Sequence, residues 1–74
     1  MKTIILTEEE IMNRKEFGDS CTVAGTYTYN KENDVWVVEI DSIEFMLTSE
    51  TFTAKSKEEI PSLIKNKYGV DVEL

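Results

Sequence analysis

The chain has 74 residues, 41% of them hydrophobic, and carries a formal charge of −7. A chain this short buries only roughly 60–65% of its unfolded surface, so a single small domain with a thin core is expected over residues 1–74. The negative charge disfavours direct binding to nucleic acid or anionic membranes and favours a basic protein partner, although solubility alone also accounts for an acidic balance.

The residue inventory excludes most chemistry. There is no histidine, which removes the usual general base, the common metal ligand and the neutral-pH switch. Cys21 is the only cysteine, so no internal disulfide can form, and it reads better as a small apolar residue than as a reactive thiol. Gly18, Gly25 and Gly69 are isolated, so no phosphate-cradling loop is present. The loop Asn30–Asp34 lacks the ligand spacing and glycine of a calcium loop. No enzymatic activity, cofactor or metal is expected. The apolar run at the amino end stops at Leu6, short of the about 7–15 apolar residues of a secretory signal or the about 20 of a membrane span, which points to the cytoplasm.

In chain order, Thr3–Leu6 reads as a short edge strand. Thr7-Glu8-Glu9-Glu10 fits a capping box, with Thr7 accepting from the third helical amide and Glu10 reaching back. The helix this starts is expected to run to Phe17 with Gly18 after it, although Ile11, Met12 and Phe17 hardly share a stripe. Thr22–Tyr29 alternates as a strand, and Asn30–Asp34 is a polar loop suited to closing a hairpin. Val35–Asp41 returns, Ser42 and Ile43 form a tight connection, and Glu44 to about Thr53 returns again. Ser56-Lys57-Glu58-Glu59 is a second capping box, followed by Ile60, Leu63, Ile64, Lys67 and Tyr68 at helical spacing. Pro61 should loosen the start of that helix, and Gly69 should end it. Val70–Val72 reads as a terminal edge strand. The expected fold is α+β: a three-stranded antiparallel meander packed by helices on one face, in the order β-α-β-β-β-α-β with short terminal edge strands.

Val35–Thr53 is the centre of this arrangement. It holds the only tryptophan, Trp36, and no lysine or arginine. A two-residue turn at Ser42-Ile43 sets Asp41 opposite Glu44, Glu39 opposite Met46, Val37 opposite Thr48 and Val35 opposite Glu50. The other face then joins Trp36, Val38, Ile40, Phe45 and Leu47 as core under the second helix. Asp41 opposite Glu44 juxtaposes like charges, which a fold alone does not require. Thr26 and Thr28 make poor core residues, which favours Tyr27 and Tyr29 facing inward. The opposite facing would enlarge an apolar patch rimmed by acid.

The pattern YTYNKENDVWVVEI followed by TFTAKSKEEIPSLI, over Tyr27 to Ile64, resembles the strand–hairpin–strand and Ser/Thr-led helix of HicB-type antitoxin partial domains. That resemblance covers topology only and implies helices on one face of a sheet and a role neutralising an RNA-binding toxin. The α-β-β-β-α order also resembles the double-stranded-RNA-binding fold, whose task requires the opposite charge. The expectation is a non-enzymatic inhibitor that occupies the basic nucleic-acid site of a nuclease or defence effector, in the manner of an anti-CRISPR or other phage antagonist, an immunity protein or an antitoxin. Its expected partner-binding residues are Val35, Val37, Glu39, Asp41, Glu44, Met46 and Glu50. A structural or assembly protein acting as a homo-oligomer, using the terminal strands or the exposed sheet face, is the alternative.

Overall fold

The computed structural model describes residues 4–18, 23–44 and 46–74. The protein is α+β, with four antiparallel strands in the sheet order β1-β2-β3-β4 and two helices. The strands are β1 (Lys15–Gly18), β2 (Val23–Asn30), β3 (Val35–Ile43) and β4 (Met46–Ala54), and the helices are α1 (Glu8–Met12) and α2 (Glu59–Tyr68).

The first helix is shorter than its cap suggests. Thr7 is the N-cap, its hydroxyl accepts the Glu10 amide, and the Glu10 carboxylate reaches back to the Thr7 amide, so the capping box forms as expected. The helix nevertheless stops at Met12, and the residues expected to extend it to Phe17 instead form β1. The reason is the absent stripe. Ile11 and Met12 remain exposed, whereas Phe17 is buried when the chain is extended and pairs opposite Gly25.

Strand alternation places Tyr27, Trp36, Val38, Ile40, Phe52 and Ala54 on one face, through the pairs Tyr27–Val38–Phe52 and Trp36–Ala54. Fully buried Ile60 and Ile64 of α2, with Val23, Phe17 and Val72, complete the core there. Gly25 is obligatory at this point, because a Cβ would lie 2.2 Å from the Glu39 carbonyl oxygen and 2.9 Å from the Phe17 ring. Tyr27 is buried, and Tyr29 sits at the margin of the same face against Trp36, with ring centroids 5.4 Å apart. Tyr27 therefore takes the favoured inward place in the core, whereas Tyr29 shares its face but stays exposed beyond the core.

The helices do not share a face. Thr28 alternates to the side opposite Tyr27, and its hydroxyl donates to the Glu10 carbonyl at 3.0 Å, so α1 meets the sheet on the side away from α2. Asn30, fully buried, ties this region together by donating to the Ile5 carbonyl at 3.2 Å and accepting the Asn33 amide at 2.8 Å. The second interaction is an Asx turn that shapes the β2–β3 loop.

The second helix begins loosely, as Pro61 implies. A turn from Ser56 to Glu58 precedes it, with the Glu59 amide donating to the Ser56 carbonyl at 3.2 Å, and no side chain caps it. The expected box at Ser56 is absent, because the Glu59 carboxylate instead accepts the Lys55 amide at 3.0 Å. Gly69, at φ 74°, ends the helix and donates to the Lys65 carbonyl at 2.8 Å. Neither expected terminal strand is present among the described residues: Ile4–Leu6 is irregular, and the carboxyl end makes a single bridge, Gly18 to Glu73. Thr3 lies outside the described residues, as do Cys21, Thr22 and Phe45. Among the described residues, no helix is long and apolar enough to cross a membrane.

Candidate functional site

The β3–β4 hairpin reverses later than its sequence suggests. Ile43 pairs with Met46 and Ser42 with Leu47, so the tight turn is not at Ser42-Ile43 but beyond Ile43, with Glu44 at φ 51°. A bulge between Ile40 and Ser42 then shifts the ladder, giving Ile40–Glu50, Glu39–Thr51, Val38–Phe52 and Val37–Thr53. Two energetic gains favour this arrangement over the expected one. Phe52 joins the core beside Val38, and Asp41, which at the bulge stands across from Thr48 and Ser49 of β4, no longer opposes Glu44.

The seven expected contact residues are therefore distributed over several environments. Val37 is buried and Val35 half-buried. Glu39 is half-buried and forms an ion pair with Arg14 on the side of the sheet away from α2. Glu50 alternates to the α2 side, where the Tyr68 hydroxyl donates to it. That bond, with burial as the larger cause, pushes the Tyr68 hydroxyl up to about 12. Asp41, Glu44 and Met46 are exposed and gather at the end of the hairpin.

Leu47 joins them there. It was expected in the core, yet it is 93% exposed, and Met46 beside it is 73% exposed. The later turn carries Leu47 from its expected place opposite Val38 to a place opposite Ser42 near the hairpin end, away from the core. The facing of the strand is reversed only past the bulge, since moving a two-residue turn by two positions preserves alternation. The hairpin end thus exposes two apolar side chains, one on each face by strand alternation, near Asp41 and Glu44.

The backbone of the same strand is also open. β4 forms one margin of the sheet and, among the described residues, pairs only with β3. Its nine residues, MLTSETFTA, include no lysine and no proline, two of the devices that protect an exposed edge, and the bulge is the protection it carries. Such a strand offers a row of outward amides and carbonyls to an extended segment of another chain.

No protein-family model, curated protein or solved structure matches the chain. Among the described residues, no group of three or more acidic or cysteine side chains is placed to hold a metal ion. The hairpin end exposes apolar surface at Met46 and Leu47 and negative charge at Asp41 and Glu44.

Proposed function

We propose that this protein is a non-enzymatic binding module whose β3–β4 hairpin docks on a basic protein, an inhibitor occupying the nucleic-acid surface of a nuclease or defence effector. The observation that carries this reading is the exposure of Met46 and Leu47, at 73% and 93%, beside Asp41 and Glu44 on an unpaired edge strand. Exposed neighbouring apolar side chains rimmed by polar groups are characteristic of binding surfaces. The stretch from Glu32 to Ala54 contains no lysine or arginine, which suits a cationic partner and steers its approach. Anti-CRISPR and other phage antagonists, immunity proteins and antitoxins share this physical description. Duplex nucleic acid carries one charge per about 1.7 Å of axis, far denser than this hairpin. The mimicry is consequently partial, and apolar contact contributes the rest.

The test is competition. A basic effector bound to the protein should be displaced by duplex DNA or RNA, released by added salt, and lost on M46S/L47S or D41K/E44K substitution. Binding unaffected by nucleic acid, salt and both double variants would contradict the proposal. The open edge also favours a second reading, in which two copies pair through β4. Sedimentation over a concentration series separates the two readings, since a tight dimer that buries β4 would support self-assembly.

A further inference from the structure

A second site lies at the other end of the sheet. β1 pairs with β2 only as far as Tyr27, and where it stops, a cleft of about 400 Å³ opens between α1, the Lys31–Glu32 turn, Trp36 and Lys57. That volume falls within the roughly 300–1,000 Å³ of small-molecule sites. It stands roughly 23 Å from the hairpin end, seven residues along β3 at about 3.3 Å each.

Its lining is charge-balanced, three lysines against three glutamates, in a chain that is strongly acidic as a whole. Lys15, Lys31 and Lys57 all line it, three of only eight basic residues in the protein. None of the three is in an ion pair among the described residues, whose two ion pairs are Arg14–Glu39 and Lys65–Asp71. The same cleft exposes an aromatic platform. Trp36 lies between Tyr27 and Tyr29, with centroids 5.8 and 5.4 Å away, and Tyr29 is 37% exposed. The Tyr29 hydroxyl donates to Asp34, which holds that ring in place, and the Lys57 ammonium stands 5.6 Å over the Tyr27 ring.

Glutamates are present as well, and they decide which anion fits. Glu10 is already engaged by the protein: its carboxylate accepts from the Thr7 amide, the Thr7 hydroxyl and the Lys31 amide at 3.3, 3.0 and 3.2 Å. Glu9, Glu32 and Asn13 are exposed around the opening and offer acceptors. Aromatic faces stack on bases, ammonium groups bind phosphate, and carboxylates accept from the amino edge of a purine. A simple apolar ligand would leave the three lysines unused. A long polyanion would meet the net charge of −7 and the rim glutamates.

We propose that this cleft binds a purine nucleoside monophosphate, with its base against the Tyr29–Trp36 pair and its phosphate among Lys15, Lys31 and Lys57. The exposed lysines can be changed without disturbing the core. Calorimetric titration of the full chain with GMP and AMP should show saturable one-to-one binding for at least one of them, accompanied by a change in Trp36 emission. Guanosine or adenosine without phosphate, and ribose 5-phosphate without base, should each bind at least tenfold more weakly. K31A/K57A should weaken the nucleotide at least tenfold while leaving the melting temperature within a few degrees. The proposal is overturned if neither nucleotide saturates, if ribose 5-phosphate binds equally well, or if K31A/K57A leaves affinity unchanged. Because the hairpin is remote, M46S/L47S should leave nucleotide binding intact, so failure of either proposal can be told from failure of the other.

Discussion

Alanine substitutions at Ile40 and Leu47 separate the observed hairpin register from the one that the sequence suggests. Both residues are large and aliphatic, and a turn at Ser42-Ile43 would bury both. In the structure Ile40 is fully buried and Leu47 is 93% exposed. Removing a buried isoleucine side chain to Ala costs about 2–5 kcal/mol, from lost transfer energy plus the cavity left behind. Removing an exposed leucine side chain changes stability by about 0.5 kcal/mol or less. For a chain of this size the urea slope is about 1 kcal/mol/M. Ile40→Ala should thus lower the unfolding midpoint by about 2 M or more, or leave the protein unfolded in buffer, whereas Leu47→Ala should move it by about 0.5 M or less. Urea titration followed by Trp36 fluorescence measures both. A cost above about 2 kcal/mol at Leu47 would refute the register, and with it the exposed apolar end of the hairpin.

The two glycines at special positions should differ in severity. Gly25→Ala drives a methyl against backbone and the Phe17 ring and should cost about 3 kcal/mol or more. Gly69→Ala meets open space at φ 74° and should cost only about 1–2 kcal/mol of backbone strain; thermal melts compare them. Glu10→Ala should cost about 1–3 kcal/mol, because it leaves the Lys31 amide without its carboxylate and removes half the capping box. Alkaline pH tests the Tyr68–Glu50 bond. With Tyr68 raised to about 12 in the fold against about 10 when unfolded, the native state retains a proton that the unfolded chain releases. That stabilisation is complete below pH 10 and is lost as pH rises toward 12. Tyr68→Phe should therefore flatten the fall in stability between those values, as followed by melting temperature, relative to the wild-type chain.

What could be read from the sequence was whatever local chemistry decides. Thr7 and Glu10 form the expected capping box, Gly69 ends the second helix, and Ile60 and Ile64 supply its buried stripe. Trp36, Val38 and Ile40 face the core as alternation required. The misplaced features depend on pairing between distant residues. Lys15–Gly18 reads as helix because a capping box says where a helix starts, not how far it runs, and what extends this segment is pairing with Ala24–Tyr27. The hairpin turn was misplaced because it contains no glycine or Asn-Gly signal; Glu44 adopts φ 51° without one. The bulge at Asp41 leaves no local trace either. Together these moved Leu47 from core to surface and Glu50 to the α2 side of the sheet, whereas Val37 and Glu39 keep their expected face, on which Val37 is buried and Glu39 pairs with Arg14.

The aromatic cleft shows the same limit. Tyr27, Tyr29 and Trp36 were legible as core-facing residues, but Lys15, Lys31 and Lys57 come from three separate segments that only the fold brings together.

The central claim is that the β3–β4 hairpin is the docking surface. Hydrogen exchange of the protein, free and bound to a basic effector, tests it most directly, because the outward amides of β4 have no strand partner among the described residues. The account predicts new protection concentrated between Met46 and Ala54. Protection confined to α2, β1 or the cleft beside α1, with β4 unchanged, would contradict it.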